Sequence, residues 1–513
     1  MSKSSLIELS EIISTLSGSE KRSFTVYCNR LKQNEKSKYV SLFKLIEKQP
    51  NISDEEIIEK TKITKSQLPN VKMNLKKQLL KSLVLNPRHK TPSIELREQI
   101  NYAMVFYNKG LYRQSLSILE SAKAKAEAHD DYTMQFEIIE FEKLIESQYI
   151  TRSLRTKADD LAVESKNISL RNMRLSKLSN LSLQLYSYLL KNGYAKNEED
   201  AEQVAAYYHD KLPMVDIAEL GFKEKLYLFQ AQLWYSQIQQ DFRSSYRYGS
   251  HWVGLFENKQ NLIQAHPVYY LKGLNAVLDS LYYLRYLSKF EFYYERLTEL
   301  GKSVAITRNV NTSTLFFIYF NYNRINKNFL EATFSKGILE IKEIEFGIKK
   351  FDKTIDEHHK MVFYYKFACL YFGEGEYEMC MTYLQRILGK KELKIRDDLM
   401  CYSHILNIIC LYELGRDIEL DQSIARTYRF LLRLNEMHKV QRAIFEFLRK
   451  LSVLYPQEIH GALDGLKDQL KSLENHPFEK RSFLYLDIIS WIESKLEGRP
   501  IKEVVKEKAQ NLK

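Results

Sequence analysis

The chain has 513 residues, of which 44% are hydrophobic, and a formal net charge of +12 at pH 7. It contains only 17 glycines and 9 prolines, below the roughly 7% and 5% typical of proteins, which disfavours glycine-rich phosphate loops and favours nearly all-α structure. No stretch reaches the roughly 20 apolar residues that cross a bilayer. The first residues, MSKSSLIELSEIIS, lack the apolar core of a secretion signal. We therefore predict a soluble cytoplasmic protein.

Residues 1–90 are predicted to form a basic helical N-terminal domain. Ser53 and Glu56 have the spacing of a capping box, which predicts a helix over residues 54–61. A second helix is predicted from about Ser66, with Leu68, Val71, Leu75, Leu79 and Leu80 on one face. The segment NPRHKTPS at 86–93 contains two prolines and no helical periodicity, so we predict a linker there.

The N-terminal domain is unusually basic. Residues 1–90 hold 18 basic and 9 acidic residues, and therefore nine of the twelve net positive charges. The two predicted helices have the dimensions of a helix-turn-helix. The polar face of the second consists of Lys65, Gln67, Asn70, Lys72, Asn74, Lys76 and Lys77. One hypothesis is nucleic-acid contact through this face; the alternative is a lysine-rich surface of a structural cap, favoured by the absence of arginine, the usual base-reading residue, from that helix.

A spaced pattern occurs twice in the remainder of the chain. Its positions are Ala103, Phe106, Gly110, Tyr112, Ser115 and Leu119 in one copy, and Ala368, Tyr371, Gly375, Tyr377, Cys380 and Leu384 in the other. A partial third copy surrounds Gly415. Such spacing is typical of two antiparallel helices that pack through small residues on either side of a glycine turn. We expect Gly110 and Gly375 to end helices with a positive φ.

This pattern resembles the tetratricopeptide repeat, a helical solenoid unit. The resemblance implies an all-α fold, a TPR-like α-α superhelix of degenerate helical pairs over residues 93–475, with a period of roughly 34 residues. Between 140 and 350, we predict that Phe242, Phe290 and Phe329 replace the aromatic residue after the turn. Residues 476–513 are predicted to be a C-terminal capping helix and tail. The layout, ending in LEGRPIKEVVKEK, also looks like bacterial proteins of this class.

The resemblance also implies a binding surface, because the first helix of each tetratricopeptide pair lines a concave groove. The residues placed on that face here are Arg97, Tyr107, Asn108, Trp234, Tyr365, Phe372, Tyr402 and Tyr412. Aromatic rings with occasional arginine and asparagine suit an extended or helical peptide. Each ring should then keep part of its surface exposed. The alternative is that these rings pack between helices, since 12% of all residues are aromatic.

Motifs of catalysis are absent from the sequence: it has no P-loop, dinucleotide fingerprint, H-E-x-x-H or G-x-S-x-G. The five cysteines include no C-x-x-C pair, so we expect neither a metal nor a cofactor. The first hypothesis is a non-enzymatic scaffold or adaptor that binds a protein or peptide in its groove. The alternative is a nucleic-acid-associated regulator with a helix-turn-helix-like head and a TPR-like region that senses a partner.

Overall fold

The computed structural model consists of α-helices joined by turns and a short 3-10 helix over the residues that it describes, with no β-strand among them, which confirms the predicted all-α class. The described residues are 2–30, 33–86, 89, 91–148, 157–257, 259–307, 309–389, 397–432, 438–451, 454–480, 482–485 and 487–510. Contacts along the backbone divide the chain into two compact units, Met1–Arg155 and Thr156–Lys513. The domain boundaries predicted near residues 90 and 475 stay predictions.

The first unit contains two groups of packed helices. Its helices are α1 (Ser2–Thr15), α2 (Gly18–Asn29), α3 (Gln33–Lys48), α4 (Asp54–Lys60), α5 (Leu68–Leu85), α6 (Pro92–Asn108), α7 (Tyr112–Ala128) and α8 (Tyr132–Gln148). Helices α1 to α5 bury one apolar cluster, and α6 to α8 bury a second. The predicted capping box begins α4, because the Ser53 N–H donates to Glu56 Oε2 (2.9 Å) and the Glu56 N–H donates to Ser53 Oγ (3.3 Å).

Small residues bring α6 and α7 close together, as the repeated pattern predicts. Ala103 and Ser115 are both fully buried where the two helices meet. The Ser115 hydroxyl donates a hydrogen bond to the Ala103 carbonyl oxygen (2.9 Å). A larger side chain at either position would separate the two backbones, since interiors are close-packed. In the second copy, Ala368 and Cys380 are likewise fully buried.

The second unit is a succession of helical pairs. Its helices are α9 (Lys157–Asn192), α10 (Glu198–Lys211), α11 (Phe222–Ile238), α12 (Phe242–Gly254), α13 (Gln260–Ala265), α14 (Pro267–Tyr283), α15 (Leu287–Gly301), α16 (Val304–Thr307), α17 (Val310–Leu330), α18 (Phe334–Lys350), α19 (Glu357–Glu374), α20 (Tyr377–Leu388), α21 (Asp397–Glu413), α22 (Asp417–Leu431), α23 (Lys439–Leu451), α24 (Pro456–Glu474), α25 (Ser482–Tyr485), α26 (Ile488–Glu497) and α27 (Ile501–Gln510). The pairs α11–α12, α14–α15, α17–α18, α19–α20 and α21–α22 each pack on the next. This sequential packing is typical of a superhelix and is consistent with a helical repeat protein.

One turn geometry recurs between paired helices. A residue with positive φ, between +49° and +88°, occupies the turn at Gly110, Asp130, Gln240, Arg285, Ala332, Gly375 and Gly415. At each turn this residue donates its N–H to the carbonyl three residues earlier, and the next residue donates to the carbonyl five residues earlier. These two bonds define a Schellman motif. The prediction of positive φ at Gly110 and Gly375 is therefore confirmed.

The spacing of these turns corrects two details of the predicted register. In the second unit the turns at 240, 285, 332, 375 and 415 lie 40 to 47 residues apart, so the expected period of roughly 34 residues is wrong here. Phe242 does follow a turn, as predicted. However, Leu287 and Phe334 follow the next two turns, whereas Phe290 lies inside α15 and Phe329 lies before its turn, in α17.

Replacing Gly375 by valine should destabilise the second unit by about 2 kcal/mol, because a β-branched residue strongly resists the left-handed conformation. Gly375 has a φ of +88° and open space where a side chain would project, so backbone strain is isolated from steric overlap. Urea denaturation of the full chain measures the change. The control is Gly461→Ala, inside α24 and equally uncrowded, which should stabilise by about 0.5–1 kcal/mol. Equal effects at both sites would contradict the turn assignment.

The C-terminal segment folds back onto much earlier helices. After α24, the Phe478 carbonyl accepts a hydrogen bond from Gln240 Nε2 (3.1 Å), at the turn between α11 and α12. The Glu479 carboxylate then accepts from the first N–H groups of α23, those of Lys439 (2.9 Å) and Val440 (3.1 Å). Helix α26 packs on α24, and α27 packs on α19. The segment therefore contacts the last helices of the second unit as well as α11–α12, the first helical pair of that unit.

Candidate ligand-binding cavity

The second unit contains a partly open cavity of about 660 Å³, within the range of roughly 300–1,000 Å³ usual for ligand pockets. Its wall is formed mainly by α9 and by the first helices of four pairs, α11, α14, α17 and α19. The second helices of the pairs contribute little, with only Trp252 and Phe334 among the lining residues. The cavity thus lies on the side of the pairs where a solenoid groove is expected.

Helix α14 presents a continuous polar stripe to the cavity. Its lining residues are Tyr269, Lys272, Asn275, Ala276, Asp279, Tyr282 and Tyr283. Spacings of three and four residues place these side chains on one face. The opposite faces of α14 carry Leu271, Leu274, Val277 and Leu278, which are fully buried or nearly so in the apolar core. Core packing therefore holds the stripe in a fixed orientation.

Aromatic rings form much of the remaining wall. The rings of Tyr186 and Trp234 lie 4.9 Å apart between centroids. The hydroxyl oxygens of Tyr227 and Tyr269 are 3.0 Å apart and share a hydrogen bond. Burial raises the pKa of Tyr227 above its ordinary value, as does its bond to Tyr269. The Tyr227 phenol is therefore a neutral donor or acceptor at physiological pH.

The carboxylate of Asp279 and the side-chain amides of Asn275 and Asn323 form a connected hydrogen-bond network in the cavity wall. Asn275 Nδ2 donates to Asp279 Oδ2 (2.9 Å), and Asn323 Nδ2 donates to Asn275 Oδ1 (2.8 Å). Burial raises the pKa of Asp279 to about 6, although the nearby positive charge of Lys366 and the bond from Asn275 oppose that shift. Asp279 retains accessible surface despite its depth, because it faces the cavity. The network fixes the direction of its carboxylate.

Lys366 lies across the cavity on α19 and is held by oxygen and by aromatic faces. Its Nζ donates to Asn326 Oδ1 (2.5 Å). The same nitrogen lies 5.6 to 5.9 Å from the ring centroids of Tyr282, Tyr322 and Phe329. Cation–π attraction of this kind stabilises an ammonium group away from bulk water. Lys366 therefore has partners from the protein itself.

Two other cations on the wall have no such partners. Within the described part of the chain, neither the Lys272 nor the Arg285 side chain forms an ion pair or hydrogen bond. Desolvation lowers the pKa of Lys272, although its side chain retains a large accessible surface, as expected for a group facing a deep cavity. Arg285 occupies a turn position with a φ of +54°. The wall thus offers cationic groups to a ligand.

The C-terminal segment completes the cavity. Ile501, Val505, Lys508 and Ala509 of α27 line it, with Phe483 and Asp487 from the residues before. Asp487 is already engaged as the cap of α26, because it accepts from the Ser490 N–H (3.2 Å) and hydroxyl (2.8 Å). Lys508 donates to Ser490 Oγ (2.9 Å) and pairs with Glu493 (2.6 Å). These contacts fix α27 against α26, so that α27 forms one wall of the cavity.

Three of the predicted groove residues, Trp234, Tyr365 and Phe372, meet in this cavity. The expectation that each ring stays partly exposed is wrong for Tyr365 and Phe372, which are 5% and 4% exposed, because neighbouring helices cover all but their cavity-facing edges. Tyr402 is 1% exposed and belongs to the apolar core, which fits the alternative of packing between helices. Tyr412 is half-buried and lies 6.3 Å from the ring of Trp491.

The other predicted groove residues, Arg97, Tyr107 and Asn108, belong to the first unit and do not line this cavity. Arg97 bonds to the Ser93 carbonyl within its own helix (3.3 Å). Tyr107 contacts Phe141 (5.5 Å between ring centroids). Asn108 is exposed at the end of α6. These three residues are therefore not part of this cavity.

The proposed nucleic-acid face of α5 is less basic than predicted. Lys72 is wrongly placed on it, because it is 3% exposed and pairs with Asp54 at the start of α4 (2.5 Å). Its position between Leu68 and Leu75 puts it on the buried stripe of the helix. Lys76 forms an ion pair with Glu8. Of the other predicted contacts, Lys65, Gln67, Asn70 and Lys77 are exposed and Asn74 is half-buried.

Sequence reasoning missed the residues of α14. The segment YYLKGLNAVLDSLYY is mostly apolar, yet its polar residues Lys272, Asn275 and Asp279 recur at helical spacing. Polar side chains on one stripe of an otherwise apolar helix indicate a water-filled or ligand-filled space. That pattern was available in the sequence.

Comparisons with known proteins do not identify a family for this chain. No protein-family model, curated protein or solved structure matches it. Within the described residues, no group of three His, Cys, Asp or Glu side chains has the arrangement of a metal site. None of the described helices combines the length and apolarity required to span a bilayer. The cavity itself therefore carries the functional argument.

Proposed function

We propose that this protein is a non-enzymatic, TPR-like scaffold or adaptor that binds a peptide segment of a protein partner along the first helices of its pairs. The observation that carries the proposal is the cavity on α11, α14, α17 and α19, which combines aromatic rings with amide side chains. Gln230, Gln237, Asn275 and Asn326 supply both donors and acceptors, the groups that an extended backbone requires. Rings beside them supply apolar contact area.

A photo-cross-linking amino acid at Tyr186, on the accessible rim of the cavity, should capture the partner in native lysate. The matched control places the same group at Phe346, which is 72% exposed on α18 outside the cavity, and should capture no specific peptide. Trp234→Ala or Phe372→Ala should weaken capture from the Tyr186 position by roughly thirtyfold, since buried hot-spot aromatics contribute about 2 kcal/mol or more. Mass spectrometry of the cross-linked peptide identifies the segment.

Two controls separate this proposal from its alternatives. Tyr412→Ala alters an aromatic residue outside the cavity, so capture should persist while helix content stays constant. Capture that is equal at the two cross-linker positions, or unaffected by the cavity variants, would refute groove binding. Loss of capture after nuclease treatment would instead support the regulator hypothesis, in which the exposed residues of α5 contact nucleic acid.

A further inference from the structure

Helix α14 directs two opposite charges into the cavity, Lys272 and Asp279. Seven residues separate them, which corresponds to about 10 Å along the axis and nearly the same face of the helix. Asn275 lies between them and also lines the cavity. The three side chains therefore form a row of cation, amide and carboxylate.

Neither charge forms an ion pair with the described residues of the protein. Lys272 has no ion-pair or hydrogen-bond partner among the described residues. Asp279 accepts one hydrogen bond, from Asn275, and forms no ion pair within the described ranges. Lys366 on the facing wall donates to Asn326 Oδ1, and its positive charge acts on Asp279 without forming an ion pair with it. Charges removed from bulk water are costly unless they are paired, so each is poised to gain from an opposite charge on a ligand.

Building on the proposed peptide-binding function, we infer that the cavity selects a segment with an anionic group that meets Lys272 and a cationic group that meets Asp279, about 10 Å apart. Three residues of extended peptide span about this distance. Asn275, between the two charges, already bonds Asp279 and Asn323, and its second N–H and second oxygen lone pair remain for the intervening backbone. The pair of charges also fixes the direction of the bound segment, because reversal brings like charges together.

The test begins with a random dodecapeptide phage library selected on the immobilised full-length protein. Wild-type protein should enrich peptides with one acidic and one basic residue at a fixed spacing. Lys272→Glu and Lys272→Gln should remove the acidic preference, and Asp279→Asn should remove the basic one. Matched controls are Lys342→Glu on α18 and Asp421→Asn on α22, both exposed and outside the cavity, which should leave the selected sequences unchanged.

Affinities of four synthetic peptides then measure the coupling: the enriched sequence, the forms with either charge replaced by glutamine, and the form with both replaced. Replacing the acidic residue should weaken binding to wild-type protein at least tenfold and have little further effect on Lys272→Gln. Replacing the basic residue should show the same relation to Asp279→Asn. Circular dichroism confirms that each variant retains its helix content.

The possible failures are distinct. Enriched peptides that bind and require Trp234 and Phe372, but show no charge preference and no coupling to Lys272 or Asp279, overturn this inference and leave the proposed function standing. Enriched peptides whose binding does not depend on Trp234 and Phe372, or no enrichment over empty beads, overturn both this inference and the proposed function. Coupling of the peptide charges to Lys342 or Asp421 also contradicts the inference.

Discussion

Replacing Trp491 by alanine should lower the free energy of unfolding of the second unit by about 3–5 kcal/mol, the usual cost of removing a buried tryptophan. Trp491 is 1% exposed in α26. Its Nε1 donates to Glu413 Oε1 (2.7 Å), at the end of α21, and Glu413 also pairs with Lys495 (2.5 Å). Because α27 follows α26 directly, loss of this anchor should also release one wall of the cavity.

Trp491→Phe separates packing from hydrogen bonding. The phenyl ring retains much of the apolar contact, but Glu413 then loses a donor while remaining buried, which should cost about 1–3 kcal/mol. Phe346→Ala, on an exposed position of α18, should change stability by less than about 0.5 kcal/mol. Guanidinium denaturation of the full chain measures all three. A Trp491→Ala effect no larger than that of Phe346→Ala would contradict the anchoring role of α26.

The sequence identified the turns where glycine occupies them and, through Phe242, the turn at Gln240. Gly110, Gly375 and Gly415 were recognised, but the same Schellman geometry occurs at Asp130, Gln240, Arg285 and Ala332. A left-handed residue other than glycine costs roughly 1–2 kcal/mol, which a turn packed between two helices can offset. A search for glycine therefore underestimates how regular the repeat is.

Helix length explains the errors in register. Helix α17 covers Val310–Leu330, and its turn follows at Ala332, so the aromatic residue after the turn is Phe334. Phe329 has the right residue type but lies on the other side of the turn. Apolar periodicity continues along a helix and does not mark its end. Without a glycine or proline at the boundary, the sequence could not place it.

The sequence predicted only some of the residues that line the cavity, because local patterns do not reveal contacts between residues distant in sequence. Trp234, Tyr365 and Phe372, which the spacing of first helices placed on one face, all line the cavity. The return of the C-terminal segment was not predicted, although it covers part of that surface; for example, Lys502 of α27 pairs with Glu374 of α19 (3.1 Å). Such a contact joins residues far apart in sequence and depends on how the successive helical pairs of the second unit pack on one another.

Replacing Asp279 by asparagine should stabilise the protein at neutral pH, by about 2–3 kcal/mol, because a difference of two pKa units corresponds to nearly 3 kcal/mol. Burial raises the pKa of Asp279 from its ordinary value of 3.8 to about 6. Between these values the folded state binds more protons than the unfolded state, so stability of the wild-type protein falls as the pH rises through this window. Asparagine is similar in shape and has no charge to desolvate.

The pH dependence distinguishes this effect from a general gain in packing. Below about pH 3, Asp279 is mostly protonated in both states, so the variant and the wild type should have nearly equal stability. The difference should grow between pH 4 and pH 6 and stay constant above pH 7. Asp421→Asn, at an exposed position of α22, should show no such trend. Denaturation curves at half-unit pH intervals measure both differences. Destabilisation by Asp279→Asn at pH 7 would contradict a carboxylate whose desolvation outweighs its bond from Asn275 and the charge of Lys366. If the more stable variant also loses its selectivity for basic peptides, the Asp279 carboxylate lowers the stability of the protein but is required for binding.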